Sequence, residues 1–141
     1  MIIDRVIAVV NDEPVIRSKF LQDFEKLKIK SPSITSEEAL QSIINRMLIY
    51  QDAKKMRLNE TNPDNMIKEY FDIKVESGII IKEEEIQTFF NENKKEFGEK
   101  EYLDVHDEIE RYLYELTKNN KIKELINTLR TSSDIRVRLK D

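Results

Sequence analysis

"MIIDRVIAVVNDEPVIRSKF", residues 1–20, decides how the rest of the chain is read. From Ile2 to Val10 it is apolar apart from Asp4 and Arg5, and most of its side chains are β-branched, the composition of a strand. Alternation puts Ile3, Ile7 and Val9 on one face and Val6, Ala8 and Val10 on the other. Both faces are apolar at the centre, which predicts a strand covered on both sides. Asn11-Asp12-Glu13 supplies turn chemistry, because Asn and Asp tolerate left-handed backbone and bond their own main chain. Pro14 lacks an amide donor, so the returning piece Val15-Ile16 pairs only briefly or along one edge. Ser18 reads as the N-cap of a first helix carrying Phe20, Leu21, Phe24, Leu27 and Ile29.

Beyond this hairpin the pattern is helical. "SPSITSEEALQSIINRMLIYQDAKKMRL" carries Thr35 and Glu38 at capping-box spacing and a core stripe of Leu40, Ile43, Ile44, Met47 and Leu48, ending near Leu58-Asn59. Pro63 stands at the first position of a helix bearing Met66, Ile67, Tyr70 and Phe71, and Gly78 stops it. A further helix holds Ile86, Phe89, Phe90 and Phe97 and closes at Gly98. The last runs from about Asp104 to Arg130, and its apolar stripe changes face at Lys118-Asn119-Asn120. Either the helix breaks there or one helix serves two neighbours. In the final "DIRVRL", Ile135, Val137 and Leu139 alternate with basic residues, the pattern of a half-buried strand. A lone hairpin is marginal in water, so the terminal strand is expected to pair with the opening one. The expected fold is mainly α with a small β element. It is a single domain over 1–141: strand-turn-strand at 2–16, helical body at 18–97, closing helix at about 104–130 and terminal strand at 134–139.

Composition narrows the function classes. Twenty-four basic residues stand against 28 acidic ones, for a net charge of −4, and this even mixture gives no polyanion-binding field. The basic clusters "FEKLKIK", "KKMR" and "KNNKIK" are interleaved with acids and read as solvated helix faces, so no nucleic-acid partner is expected. No apolar run approaches the roughly 18 residues of a membrane-spanning helix, so no membrane insertion is expected. The absence of cysteine removes disulfides, thiolate ligands and thiol nucleophiles.

Few groups are available for catalysis. His106 is the single histidine, in "YLDVHDEIERYL", and a carboxylate-oriented proton shuttle there competes with an ordinary surface residue on an acidic helical turn. The latter is expected. Glu37-Glu38 and Glu83-Glu84-Glu85 sit in first helical turns, where carboxylates complement the helix dipole, so they are not read as metal ligands. Two isolated glycines cannot build a phosphate-cradling loop. No catalytic residue, metal or cofactor is expected, and the chain is not read as an enzyme. Adjacent aromatics such as Tyr70-Phe71 and Phe89-Phe90 point about 100° apart on a helix and cannot all reach one core, which leaves soft apolar surface for binding.

The opening stretch resembles the N-terminal signature of the SurA-like periplasmic chaperones and parvulin-type foldases, in which a strand reading like V-D-x-I-A-V-V-N-x-x-V-I-x-x-S runs into a helix. Asp4, Val6, Ala8, Val9, Val10, Asn11, Asp12, Ile16 and Ser18 stand in the expected places. "ALQSIINRMLIYQDAKKMRL", "IKEEEIQTFFNENKKEF" and the tail "EIERYLYELTKNNKIKELINTLRTSSDIRVRL" are similar to further blocks of that family. Two departures stand out. Only "GEKEYLDV" occupies the place of the parvulin isomerase domain, and "NPDNMIKEYFDIKVESG" is short for the helices usually found there. The resemblance implies a helical chaperone core lacking the isomerase, whose N-terminal hairpin pairs with a C-terminal strand. It further implies an ATP-independent holdase for unfolded or extended outer-membrane or secreted proteins, in the periplasm or another extracytoplasmic space. The apolar client surface would be drawn from Phe20, Phe24, Met47, Tyr50, Tyr70, Phe71, Phe89, Phe90 and Tyr112. The alternative is a structural or assembly module, a homodimer formed by exchange of the C-terminal helix or strand, motivated by the stripe change near Asn119.

Overall fold

Asn11 and Asp12 turn the chain at φ of +50° and +70°. Positive φ at both central residues is what a two-residue type I′ hairpin loop demands, and Asn and Asp accept it at low cost. The turn joins β1 (Val6–Val10) to β2 (Glu13–Ile16), with Val10 facing Glu13 across it. The computed structural model describes residues 4–58 and 62–138. After the hairpin come α1 (Arg17–Lys30), α2 (Ser36–Lys55), α3 (Pro63–Lys74), a 3-10 turn (Glu76–Gly78), α4 (Glu83–Glu92), α5 (Lys94–Phe97), α6 (Tyr102–Thr131) and β3 (Ile135–Val137). The chain is mainly helical with one small antiparallel sheet. Its contacts gather into two compact units, Met1–Ile67 with Leu125–Asp141 and Lys68–Glu124. The strand positions Ile2, Ile3 and Leu139, and the helix end at Asn59, lie outside the described residues.

In the first unit the strand order is β2-β1-β3, so the opening strand is central and the C-terminal strand completes the sheet. Ala8 faces Val137, Val9 faces Arg136 and Val10 faces Ile135. Residues from both expected faces of β1 are buried, but alternation is not strict. Ile7 and Ala8 are consecutive, yet both are fully buried and both belong to one core, while Val6 and Val9 are half-buried. A bulge against β2 between Val6 and Ala8 re-aims the local side chains and breaks strict alternation.

The helix after the hairpin also begins differently from expectation. Ile16, not Ser18, occupies the N-cap position and makes no side-chain cap. The cap comes from Asp4, whose carboxylate accepts from the Ser18 amide at 3.2 Å and from the Ser18 hydroxyl. An anion at a helix N-terminus satisfies free donors and meets the positive end of the dipole. These bonds hold the Asp4 carboxyl below its ordinary value.

α2 supplies most of this core. Ala39, Leu40, Ile44 and Leu48 pack with Ile7, Ala8, Val10, Val15 and Phe20, and Leu129 and Ile135 close over them. Its start is the expected capping box: Thr35 Oγ1 accepts from the Glu38 amide at 3.1 Å, and Glu38 accepts from the Thr35 amide at 3.0 Å. Thr35→Ala is expected to cost about 1 kcal/mol, read as a lower urea midpoint, with Thr35→Ser recovering most of it. The helix stops at Lys55, short of Leu58, and Arg57 follows at φ +54°.

The second unit is built on Ile86, Val105 and Ile109, with Ile81, Phe89, Phe90, Phe97, Tyr102 and Leu113 packed around them. The helix expected to run through Phe97 is divided at Asn93, whose side-chain amide donates to the Phe89 carbonyl at 2.8 Å. Asn competes with the backbone in this way, which is why it weakens helix interiors. α6, by contrast, passes unbroken through Lys118-Asn119-Asn120. The half-buried Lys118 ammonium meets Glu76 at 2.9 Å, a tertiary contact that outweighs the stretch's weak propensity. Val105, Ile109 and Leu113 of this helix serve the second unit's core and Leu129 serves the first, so the stripe change reflects two sets of neighbours.

Candidate functional site

The nine residues expected to supply an apolar surface occupy quite different environments. Phe20 and Tyr70 are buried. Phe20 stacks on Phe24 with centroids 5.6 Å apart, and the Lys28 ammonium lies 4.2 Å from the Phe24 centroid. Met47 is half-buried against the first unit's core, and half-buried Tyr50 carries the Lys54 ammonium 5.0 Å over its ring. Phe71 is half-buried and edge-on to Tyr70. Phe90 stacks on Phe97 at 5.6 Å and meets Tyr102 edge-on at 5.5 Å. Phe89 packs against Phe97 and against Tyr112 at 5.3 Å, and of the nine only Tyr112, at 52% exposure, opens mostly to solvent.

Much of the exposed apolar surface comes instead from aliphatic residues that were not among those nine. Ile16, Leu21, Ile29 and Val137 are exposed in the first unit, and Ile73, Ile80, Leu103 and Leu116 in the second. Leu21, Ile29 and Leu116 fall at helical spacings that read as core. Ile29, Ile80 and Leu103, at 82%, 78% and 85% exposure, are the most open of them.

Each unit has a groove lined by its own residues. In the first it holds about 430 Å³ between Asn11, Glu13, Leu48, Gln51, Lys55 and Ser132. Gln51 is its organising residue: Nε2 donates to the Val10 carbonyl at 3.1 Å and to Glu13 at 3.3 Å, while Oε1 accepts from Asn11 Nδ2 at 3.0 Å. Asn11 Nδ2 also donates to Ser133 Oγ at 3.0 Å. This groove is a hydrogen-bonded seam joining the hairpin turn, α2 and the approach to β3. The second unit's groove holds about 530 Å³ between the extended Ile79–Ile81 stretch and α6.

His106 is not the ordinary surface residue expected. Its Nε2 lies 2.8 Å from Glu83 Oε2 and its Nδ1 2.9 Å from Asp107 Oδ1, while Tyr102 donates to the other Glu83 oxygen. The hydrogen bonds to Asp107 and then Glu83 push the imidazole up from 6.5 to about 9. Glu83 is lowered by Tyr102 and His106, and the Tyr102 phenol is pushed up to about 12 by Glu83. With a carboxylate on each nitrogen, the ring at neutral pH is a held cation with no free lone pair, suited to joining α4 and α6 and unsuited to shuttling protons.

A raised histidine value stabilises fully below about 6.5 and loses that contribution as pH rises through about 9. His106→Gln is therefore expected to flatten the fall in stability between those pH values, and an NMR titration of the His106 ring should show a midpoint near 9. A midpoint near 6.5 would break the assignment.

Asp72 and Glu76 share a second cluster with Lys118 and Tyr114, in which Glu76 raises the Asp72 carboxyl while Asp72 and Lys118 lower Glu76. Among the described residues no group of three or more His, Asp or Glu is placed to hold a metal ion, and no helix is long and apolar enough to cross a membrane. No protein-family model matches the chain, and neither does any curated protein.

Proposed function

We propose that this chain is a SurA-like chaperone core, an ATP-independent holdase for unfolded or extended outer-membrane or secreted proteins, without prolyl isomerase activity and working in an extracytoplasmic space. The observation that carries the reading is the role of the residues behind the resemblance. Asp4 and Ser18 join the strand to α1, Asn11 and Asp12 make the turn, and Asn11 binds the segment entering β3. Within the signature, Asp4 and the turn fix the hairpin locally and Asn11 ties it to the segment entering β3, which supports the closed arrangement that the resemblance implies. Exposed aliphatic side chains and Tyr112 support client binding, since many weak apolar contacts suit varied extended chains.

The test dilutes an unfolded β-barrel outer-membrane protein from urea into buffer with and without the chain, lacking ATP, and follows aggregation by light scattering. Suppression at a few-fold molar excess is expected, with no acceleration of cis–trans exchange in a proline peptide. A dimer in solution with no suppression would overturn the proposal in favour of an assembly module.

A further inference from the structure

Between the 3-10 turn and α4 the chain runs extended, with Ile79 at φ −88° and ψ 118°. Ile79 donates its amide to the Glu76 carbonyl, but the main-chain groups of Ile80 and Ile81 take no hydrogen-bond partner among the described residues. Extended backbone with free donors and acceptors is a template for another strand. Ile79 and Ile81 form one wall of the 530 Å³ groove, and Tyr114 on α6 stands in the other.

The charges along that wall are mostly of one sign. Glu110 and Glu115 join Asp107 against the single cation Arg111. Asp107 is shared with His106 and the charge of Glu115 also acts on Lys118, while Glu110 adds a further carboxylate to the wall. Exposed Leu103 lies on the same face of α6 as Asp107, Glu110 and Tyr114, at spacings of four, seven and eleven residues, and adds an apolar side chain one turn before Asp107.

We propose that this groove binds an extended polypeptide in which apolar residues alternate with Lys or Arg, its backbone pairing with Ile80, its apolar side chains on Ile79, Ile81 and Leu103, and its cations at Glu110 and Glu115. The proposal rests on the chaperone reading and names the client chemistry that reading leaves open. Pairing through the main chain tolerates varied sequences, while the carboxylates select basic over acidic segments.

The experiment measures fluorescence anisotropy of four labelled peptides with the whole chain at low salt: alternating Val-Lys, alternating Val-Glu, and two Val-Lys peptides N-methylated on every second amide, one in each register. The Val-Lys peptide should bind about fivefold to tenfold more tightly than Val-Glu, and the double variant E110Q/E115Q should remove that preference. N-methylation should weaken binding about tenfold or more, as should Ile80→Pro, which removes one donor and suits the extended Ile79 before it. The N-methylated peptides keep the backbone claim testable even if the proline variant misfolds.

Equal binding of Val-Lys and Val-Glu, or no loss on N-methylation, overturns the proposal. Suppression of aggregation together with that result leaves the chaperone reading standing and removes the groove. The expected peptide binding without suppression removes the chaperone reading and leaves the groove as a peptide site.

Discussion

Ile44→Ala is expected to destabilise the first unit by about 2–5 kcal/mol, read as a lower urea midpoint at unchanged slope. Ile44 is fully buried on α2, in the cluster that joins this helix to β1 and α1. Truncation removes three carbons' worth of transfer energy and leaves a cavity. Its neighbours belong to a strand and helices held by their own backbone bonds, which limits how far the site can collapse. Net stabilities of small domains run about 5–15 kcal/mol, so this single change removes a large share. Met47→Ala, one turn away and half-buried, should cost markedly less. A loss below about 1 kcal/mol at Ile44 would mean that α2 does not pack on the sheet as described.

Asn11→Ala is expected to cost about 2–4 kcal/mol, from two separable sources. The side chain donates to Gln51 and Ser133 at 3.0 Å each and accepts from the Asp134 amide at 2.8 Å. Bonds of this kind contribute about 0.5–1.5 kcal/mol each, with the lower end fitting their exposure. Alanine must also hold φ near +50°, a left-handed conformation costing about 1–2 kcal/mol. Asn11→Gly removes the bonds but not the conformational freedom, so it should fall about 1 kcal/mol short of the alanine variant. Thermal unfolding of the three proteins separates the terms. Equal losses for alanine and glycine would refute the backbone term, and a glycine variant as stable as the parent would refute the bonds.

Asn11 also shows how far the sequence can be read. Its turn role follows from residue type, because few other side chains accept two successive positive φ values. That Asp134 and Ser133 would meet it does not follow, since they lie more than a hundred positions away and nothing local points to them. The same holds for Asp4. It reads as an interruption in an apolar strand, yet it is the cap of α1, a role visible only once the strand lies beside the helix start. Gln51 stands within the stripe of α2 as a polar exception, and the hairpin turn explains it. Among apolar residues, helical spacing located Leu40, Ile44 and Leu48 correctly but also marked Leu21 and Leu116, which are exposed. Periodicity identifies a face, and only the neighbours decide how wide the covered part of it is.

Local chemistry by itself determined the helical class, the hairpin expected within residues 2–16, the capping box at Thr35 and the pairing of the chain's two ends, because each rests on side-chain period or on a turn few residues can make. Tertiary structure decided the bulge that turns Ile7 and Ala8 into one core, the continuity of α6 through a weakly helical stretch, and the conversion of His106 into a held cation. It also decided which apolar residues remain open, leaving Ile80 and Leu103 bare where aromatics seemed the natural choice. Those outcomes depend on contacts between distant segments, where the burial of a partner or the approach of a carboxylate outweighs a residue's own preference.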